Sequence, residues 1–366
     1  MGPHVEDVRA TAYTVPTDAP EADGTLAWSS TTLVVVEARS GDIVGTGWTY
    51  GPAACADLVA SELADVVVGR EVMSVAGTWE AMVASVRNAT RAGAVGYAIS
   101  AVDVALWDLK SRVLGLSLAD LFGRVRDEVP VYGSGGFTCY SDEQMREQLG
   151  GWVEQRIPRV KIKIGQDWGG SEARDRERVR AARDVVGPDV ELLVDANGGY
   201  ARKQAVRVMR DVADADVRWF EEPVSSDDLD GLREVRDRVD ADVAAGEYGT
   251  GVGYFQRMCA AEAVDCLQVD ATRAGGYTEW FRSCAVAAAH GLEVSGHCAP
   301  NLHAPAAAAT QNFRHLEWFH DHVRIESMLF RGALDPRGDT VTPATDRPGH
   351  GLELDGSVAA RFEVKQ

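Results

Sequence analysis

The sequence predicts an α/β chain: a (β/α)7-8 barrel of the modified TIM type, preceded by a separate α+β domain. Two observations carry this reading. Beyond about residue 126, short apolar runs alternate with long charged amphipathic segments, strand to strand about 20–32 residues apart, the period of a βα unit. Before it, strands come first and helices follow, the order of an independent α+β unit. The chain has 366 residues, too long for one simple domain and comfortable for two.

Residues 5–15 and 31–50 read as strands. "TTLVVVEARSGDIVGTGW" has the form of a hairpin, turning at Ser40-Gly41-Asp42. The stretch between, "TDAPEADGTLAWSS", is polar and Pro/Gly-containing, hence a loop. Three helical patterns follow: "CADLVASELADVVVG", "TWEAMVASVRNATR" and "GYAISAVDVALWDLKSRVLG". In the third, Ile99, Val102, Leu106, Leu109 and Val113 form one apolar stripe at helical spacing. The first domain is expected to span 1–125 and the barrel 126–330. The loop-rich stretch 330–366 should pack back across the small domain.

The barrel strands are "VPVYGSG", "VKIKI", "VELLVDAN", "VRWFEEP", "DVAAGE", "DCLQVD", "LEVSGH" and "RHLEWF". From the second onward each ends in a residue suited to chemistry: Lys161 and Lys163, Asp195, Glu221, Glu247, Asp270, His297 and Glu317. Any one acid after a strand is usually a helix cap. The joint pattern is different, because independent caps would include Ser, Thr and Asn. Strand C-termini form the active face of a barrel. Three successive carboxylates there, Asp195, Glu221 and Glu247, coexist only if a cation holds them. All-oxygen ligation suits Mg²⁺ rather than Zn²⁺.

Lys161 and Lys163 lie two apart between Val160, Ile162 and Ile164, so both should point into the barrel. A buried lysine beside a cation has a lowered pKa and can act as a base. Asp270 and His297 come from neighbouring strand ends, where the aspartate can fix the imidazole tautomer and raise its basicity. Glu221 and Glu222 are adjacent, so on a strand they face opposite ways. Glu221 is the expected ligand; Glu222 is assigned to support of the site or an ion pair with a neighbouring strand's cation. His303 is placed in a loop.

Composition limits the alternatives. The net charge of −19 would repel a phosphate backbone, so no nucleic acid is expected as a partner. No apolar run reaches about 18 residues, so no membrane span is expected. Six scattered cysteines without a C-x-x-C pair read as buried free thiols. With no apolar leader in Met1–Ala10, the expected location is the cytoplasm. A zinc hydrolase would need several histidines at strand ends, typically H-x-H, and only His297 stands clearly at one. A non-catalytic barrel would have little reason to keep Lys161, Lys163 and His297 as a set.

The ordered stretches "KIK", "VDAN", "FEEP", "AGE", "QVD", "SGH" and "LEW" resemble those of the enolase superfamily, in its mandelate racemase-like group. "AISAVDVALWDLKSRVLGLSLADLFG" is similar to the helix that links small domain to barrel there. The resemblance implies that Asp195, Glu221 and Glu247 bind Mg²⁺. It implies that Lys163 and the His297–Asp270 pair are acid/bases on opposite sides of a small-molecule carboxylate substrate. Lys161 would neutralise that carboxylate and lower the Lys163 pKa, and Glu317 would hydrogen-bond it, as a donor if protonated. Asn197 would touch substrate, and loops around 16–30 and 49–55 would close the pocket. Relatives are often dimers built up into octamers, so a homo-oligomer is implied. The shared step is removal of the proton α to a carboxylate, giving an enediolate. The expected outcome is dehydration of a sugar acid, because Asp18, Glu21, Asp23, Ser29 and Ser30 in the polar stretch could bond hydroxyls, with Trp28 against a sugar face. "KIKIGQ" is similar to the stretch in some acid-sugar dehydratases. Racemisation or epimerisation of a 2-hydroxy acid and lactone cycloisomerisation use the same residues and stay open.

Overall fold

Strand β1 (Asp7–Ala22), β2 (Ala27–Ser40) and β3 (Ile43–Tyr50) pair antiparallel in a three-stranded sheet. The computed structural model describes residues 2–365. The β2–β3 turn is the expected one: Ser40 pairs with Ile43, and Gly41 takes the positive φ such a two-residue turn demands. The 17–30 stretch differs from the expected loop, because β1 and β2 continue into it. After a register shift beyond Pro16, Glu21 pairs with Trp28 and Ala22 with Ala27. Pro16 and Pro20 have no N–H to give, which interrupts the ladder without ending the hairpin. Asp23 closes the tip, its Oδ1 accepting from the Thr25 and Leu26 amides at 2.6 and 2.7 Å.

The sheet packs on helix α1 (Ala94–Leu114), whose Ile99, Val102, Leu106 and Leu109 are buried as the stripe predicts. The approach is backbone to backbone. A β-carbon on Gly47 would fall 2.3 Å from the Ala101 carbonyl oxygen, and one on Gly45 2.3 Å from the Leu109 nitrogen.

The barrel is closed. Its strands are β4 (Val129–Gly135), β5 (Arg159–Lys163), β6 (Glu191–Asp195), β7 (Val217–Glu221), β8 (Asp242–Ala245), β9 (Cys266–Val269), β10 (Glu293–Gly296) and β11 (Phe313–Phe319). Each pairs with the next in chain order, and β11 returns to β4 in parallel. The period-2 pattern decides which residues go inside. Val160, Ile162, Leu192, Val194 and Phe220 belong to the core shared with the outer helices. Tyr132, Leu193, Trp219, Ala244 and Cys266 form a separate buried layer inside the barrel. Lys161 and Lys163 share that inner parity. Burial of each large apolar side chain contributes about 1.5–3 kcal/mol.

Residues after 330 tie the two parts together. Val341 pairs with Val129 on β4, Thr14 of β1 donates its N–H to the Phe362 carbonyl at 2.8 Å, and Leu118 donates to Gly349 at 2.9 Å. No helix among the described residues is long and apolar enough to cross a membrane.

Candidate active site

Parallel register assembles the site. Lys163 pairs with Asp195, and Asp195 with Glu221, so the last residues of β5, β6 and β7 stand side by side. Glu247 lies two residues past β8, Asp270 one past β9 and His297 one past β10, while Glu317 is inside β11. All are buried. Ligand oxygens of Asp195, Glu221 and Glu247 lie within 4.8 Å of one another. Trp219 fixes one of them, donating its indole N–H to Glu221 Oε2 at 2.9 Å.

A cavity of about 440 Å³ opens above these strand ends. That is within the range of about 300–1,000 Å³ usual for small-molecule sites. Lys163, Asn197, Glu247 and His297 face it from the barrel, and Trp28 from the small domain. Lys161, Asp195, Glu221, Asp270 and Glu317 are not on its wall. Both small-domain segments reach it, Asp23 and Ser30 from the hairpin and Tyr50 to Pro52 from the end of β3. Asp18, Glu21 and Ser29 do not. Asp18 pairs instead with His320 at 3.0 Å, and Glu21 accepts the Trp28 indole N–H at 2.8 Å.

The base candidates are held differently. His297 Nδ1 bonds Asp270 Oδ2 at 2.8 Å, which makes Nδ1 the protonated nitrogen and leaves Nε2 free to accept. Burial opposes charge on His297, but Glu247, Asp270 and Glu317 outweigh it and raise its pKa. Burial also opposes ionisation of Asp270, yet the His297 hydrogen bond and nearby His303 and Arg273 hold it well below the carboxylate range. Lys163 contacts Asp195 Oδ2. Its protein neighbours pull its pKa in both directions. Burial and Lys161 pull it down, but Asp195, Glu317 and Glu221 raise it above the ordinary lysine value.

Lys161 is fully buried between Glu221 (2.5 Å) and Glu317 (2.7 Å), off the cavity wall, so its charge acts through those carboxylates. Glu317 accepts from Ser134 Oγ at 2.6 Å and from the Cys298 amide at 3.0 Å. Burial opposes its charge, but Lys161 and His297 win and keep it ionised. In this state it accepts hydrogen bonds, and the donor role that protonation would give it is not in use.

For Glu222 the structure removes the ion-pair alternative and leaves support of the site. Its φ is +39°, so it has left the strand and alternation no longer governs it. Among the described residues no cation pairs with it, and Oε1 has no partner. Burial, then Glu247, Asp195 and Glu221, push its pKa well up, with Lys163 opposing them. His303 is not in a loop: it is fully buried in α2 (Pro300–Ala309), its Nε2 accepting from the Ala271 amide at 2.8 Å.

Sequence reasoning missed Arg273. It reaches Glu247 Oε1 at 3.1 Å and Asp270 Oδ2 at 3.6 Å, and its guanidinium lies 5.5 Å from the Tyr248 ring centre. Its position three residues after Asp270, on the first turn past the strand, was the available signal. Cys298, beside His297, was the other.

The donor set fits a hard dication. It is all oxygen, and burial together with Asp195 and Glu317 raises the Glu221 pKa despite Lys161. Asn197 Oδ1 and Glu247 Oε2 are buried without a hydrogen-bond partner, Oε2 lying 3.4 Å from His297 Nε2.

Family profiles match both parts of the chain. Residues 8–123 match the mandelate racemase/muconate lactonizing enzyme N-terminal domain, and residues 144–358 the enolase C-terminal domain-like family. The chain belongs to the mandelate racemase/muconate lactonizing enzyme family of the enolase superfamily. Within this family, a solved mandelate racemase/muconate lactonizing enzyme-like protein from Rubrobacter xylanophilus is 48% identical, with a TM-score of 0.96 over 99% of this chain and 100% of the other. L-talarate/galactarate dehydratase from Salmonella typhimurium is 31% identical over 88% of this chain and 80% of its own length. Its structure liganded with Mg and L-lyxarohydroxamate has a TM-score of 0.92, at 28% identity over 100% and 94% of the two chains. The 3,6-anhydro-alpha-L-galactonate cycloisomerase of Streptomyces coelicolor is 30% identical over 98% of this chain and 99% of the relative.

Proposed function

We propose that this protein is a Mg²⁺-dependent dehydratase of a sugar acid. It removes the proton α to the carboxylate and then expels a β-hydroxyl as water, leaving a 2-keto-3-deoxy acid. The observation that carries this is one cavity reached by two unlike proton-transfer groups, Lys163 and the His297–Asp270 pair, at three convergent carboxylates. Asp195, Glu221 and Glu247 would hold the Mg²⁺, which offsets their charge and stabilises negative charge on the substrate carboxylate.

The residues divide the work by position. β5 and β10 stand three strands apart round the shorter arc of the barrel, so Lys163 and His297 address a substrate from different sides. Lys163 takes or returns a proton at Nζ. His297 does so at Nε2, with Asp270 holding the tautomer and stabilising the imidazolium. Asn197, with Oδ1 unpaired at the cavity wall, contacts the substrate, and Trp28 contributes an apolar surface from the hairpin. Lys161 and Glu317 act from behind: the lysine balances Glu221 and Glu317, and Glu317 orders the backbone at Cys298.

The talarate/galactarate dehydratase relative supports this reading. Lactone cycloisomerisation is the second reading, supported by the full-length match to the Streptomyces cycloisomerase. A homo-oligomer, from dimer to octamer, and a cytoplasmic location belong to the same proposal. A screen of sugar acids with a keto-acid assay, beside solvent deuterium exchange at Cα, separates the outcomes. Keto acid formation supports dehydration. Exchange or epimer formation without keto acid overturns it in favour of racemisation, and lactone consumption in favour of cycloisomerisation.

A further inference from the structure

A second cluster of metal-capable side chains shares this cavity but differs in chemistry. His297 Nε2, Cys298 Sγ and Glu317 Oε2 converge, all buried. Sγ lies 3.3 Å from Nε2 and 3.4 Å from Oε2, and Nε2 lies 3.9 Å from Oε2. Zinc bonds of about 2.0–2.3 Å give tetrahedral ligand-to-ligand edges of about 3.3–3.7 Å. The observed triangle is close to one face of such a tetrahedron. His297 and Cys298 both line the cavity, which leaves the fourth position to water.

Backbone and partners prepare these atoms. Cys298 (φ +49°) and Ala299 (φ +37°) are consecutive left-handed residues, and this turn brings the thiol beside the preceding imidazole. Asp270 holds the far nitrogen of His297 at 2.8 Å, the carboxylate–histidine arrangement that orients a metal-binding imidazole. The Cys298 amide donates to Glu317 Oε2 at 3.0 Å and fixes that carboxylate. A thiolate, an imidazole and one carboxylate select a soft or borderline ion and reject Mg²⁺. The thiolate and Glu317 bring two negative charges, Glu317 sharing its own with Lys161 at 2.7 Å, and Glu247 Oε2 adds a nearby third 3.4 Å from His297 Nε2.

We propose that His297, Cys298 and Glu317 form an inhibitory site for Zn²⁺ or a similar thiophilic divalent cation, separate in ligands from the all-oxygen cluster. Binding deprotonates the thiol, the proton leaving to solvent, and ties up His297 Nε2. The site itself stands on geometry; its inhibitory effect rests on the proposed role of His297.

The test uses the reduced, Mg²⁺-supplied enzyme titrated with Cd²⁺ as a spectroscopic probe. One equivalent should produce a thiolate-to-cadmium ultraviolet band, and Zn²⁺ should compete it away. Cys298→Ser and Cys298→Ala should both lose the band while keeping the wild-type circular dichroism. Cys139→Ser, at the one exposed cysteine, should keep the band. Zn²⁺ should inhibit the wild type at concentrations at least about ten-fold below those needed for Cys298→Ala. No band in the wild type, or a band that survives in folded Cys298 variants, overturns the site. A Cys298-dependent band in a protein that turns over no sugar acid leaves the site standing and counts against the proposed function instead.

Discussion

At the residue scale, the site depends on pairs rather than on single side chains. Asp270 fixes the Nδ1–H of His297, and His297, His303 and Arg273 favour the ionised form of Asp270. Asp270→Asn should therefore lower kcat about 10–100-fold with KM little changed, as loss of an imidazole-orienting partner does. Steady-state kinetics read this, and a change confined to KM would place Asp270 in substrate binding instead. Glu221, Asp270 and His297 were legible in the sequence because a parallel barrel turns strand ends into one ring. The strand alternation assumed for Glu222 failed because its +39° φ is not written in the local pattern. Arg273 and Cys298 were missed because their importance lies in what the turns bring them against. The ionised Glu317 reflects Lys161, two strands away round the barrel.

At the element scale, close backbone approach positions the small-domain sheet. Gly45 and Gly47 let β3 lie on α1, and Tyr50 at the end of the same strand reaches the cavity and stacks on His322. Gly47→Ala should force sheet and helix apart and destabilise the protein by about 1–3 kcal/mol or more. Urea unfolding measures this; a wild-type midpoint would show that the contact gives way freely. The sequence announced the β2–β3 hairpin and the α1 stripe plainly, since both follow local periodicity. The 17–30 hairpin was hidden by its prolines and polar residues, because its pairing rests on Asp23 closing the tip and on barrel contacts. Trp28 against Phe137, with ring centres 5.6 Å apart, is one of these.

At the scale of the whole molecule, the C-terminal stretch locks small domain and barrel together, and His350 is buried at that junction. Its ring is 5.1 Å from Trp48 and 5.9 Å from Tyr277, and its amide donates to Asp108 at 2.8 Å. Burial lowers its pKa to about 4, with Arg112 adding to the effect and Asp108 opposing it. An unfolded histidine titrates near 6.5, so the unfolded chain binds a proton first. Stability from this group is complete above about pH 6.5 and is lost as pH falls toward 4, to an extent of about 3 kcal/mol. His350→Asn should flatten this loss between pH 7 and 4.5 in urea titrations; an unchanged pH slope would remove His350 from the account. The barrel's order was legible because each βα unit repeats the same signal, whereas this junction depends on contacts across 242 positions of chain, between Asp108 and His350.

On the proposed mechanism, Lys163 and His297 move protons on one substrate from different sides. The direct measurement is proton NMR of sugar acids held in D₂O with the Mg²⁺-supplied wild type, Lys163→Ala and His297→Asn. Loss of the α-proton signal in the wild type, abolished for one α-configuration by Lys163→Ala and for the opposite one by His297→Asn, is the predicted result. Exchange of both configurations persisting in both variants would contradict it.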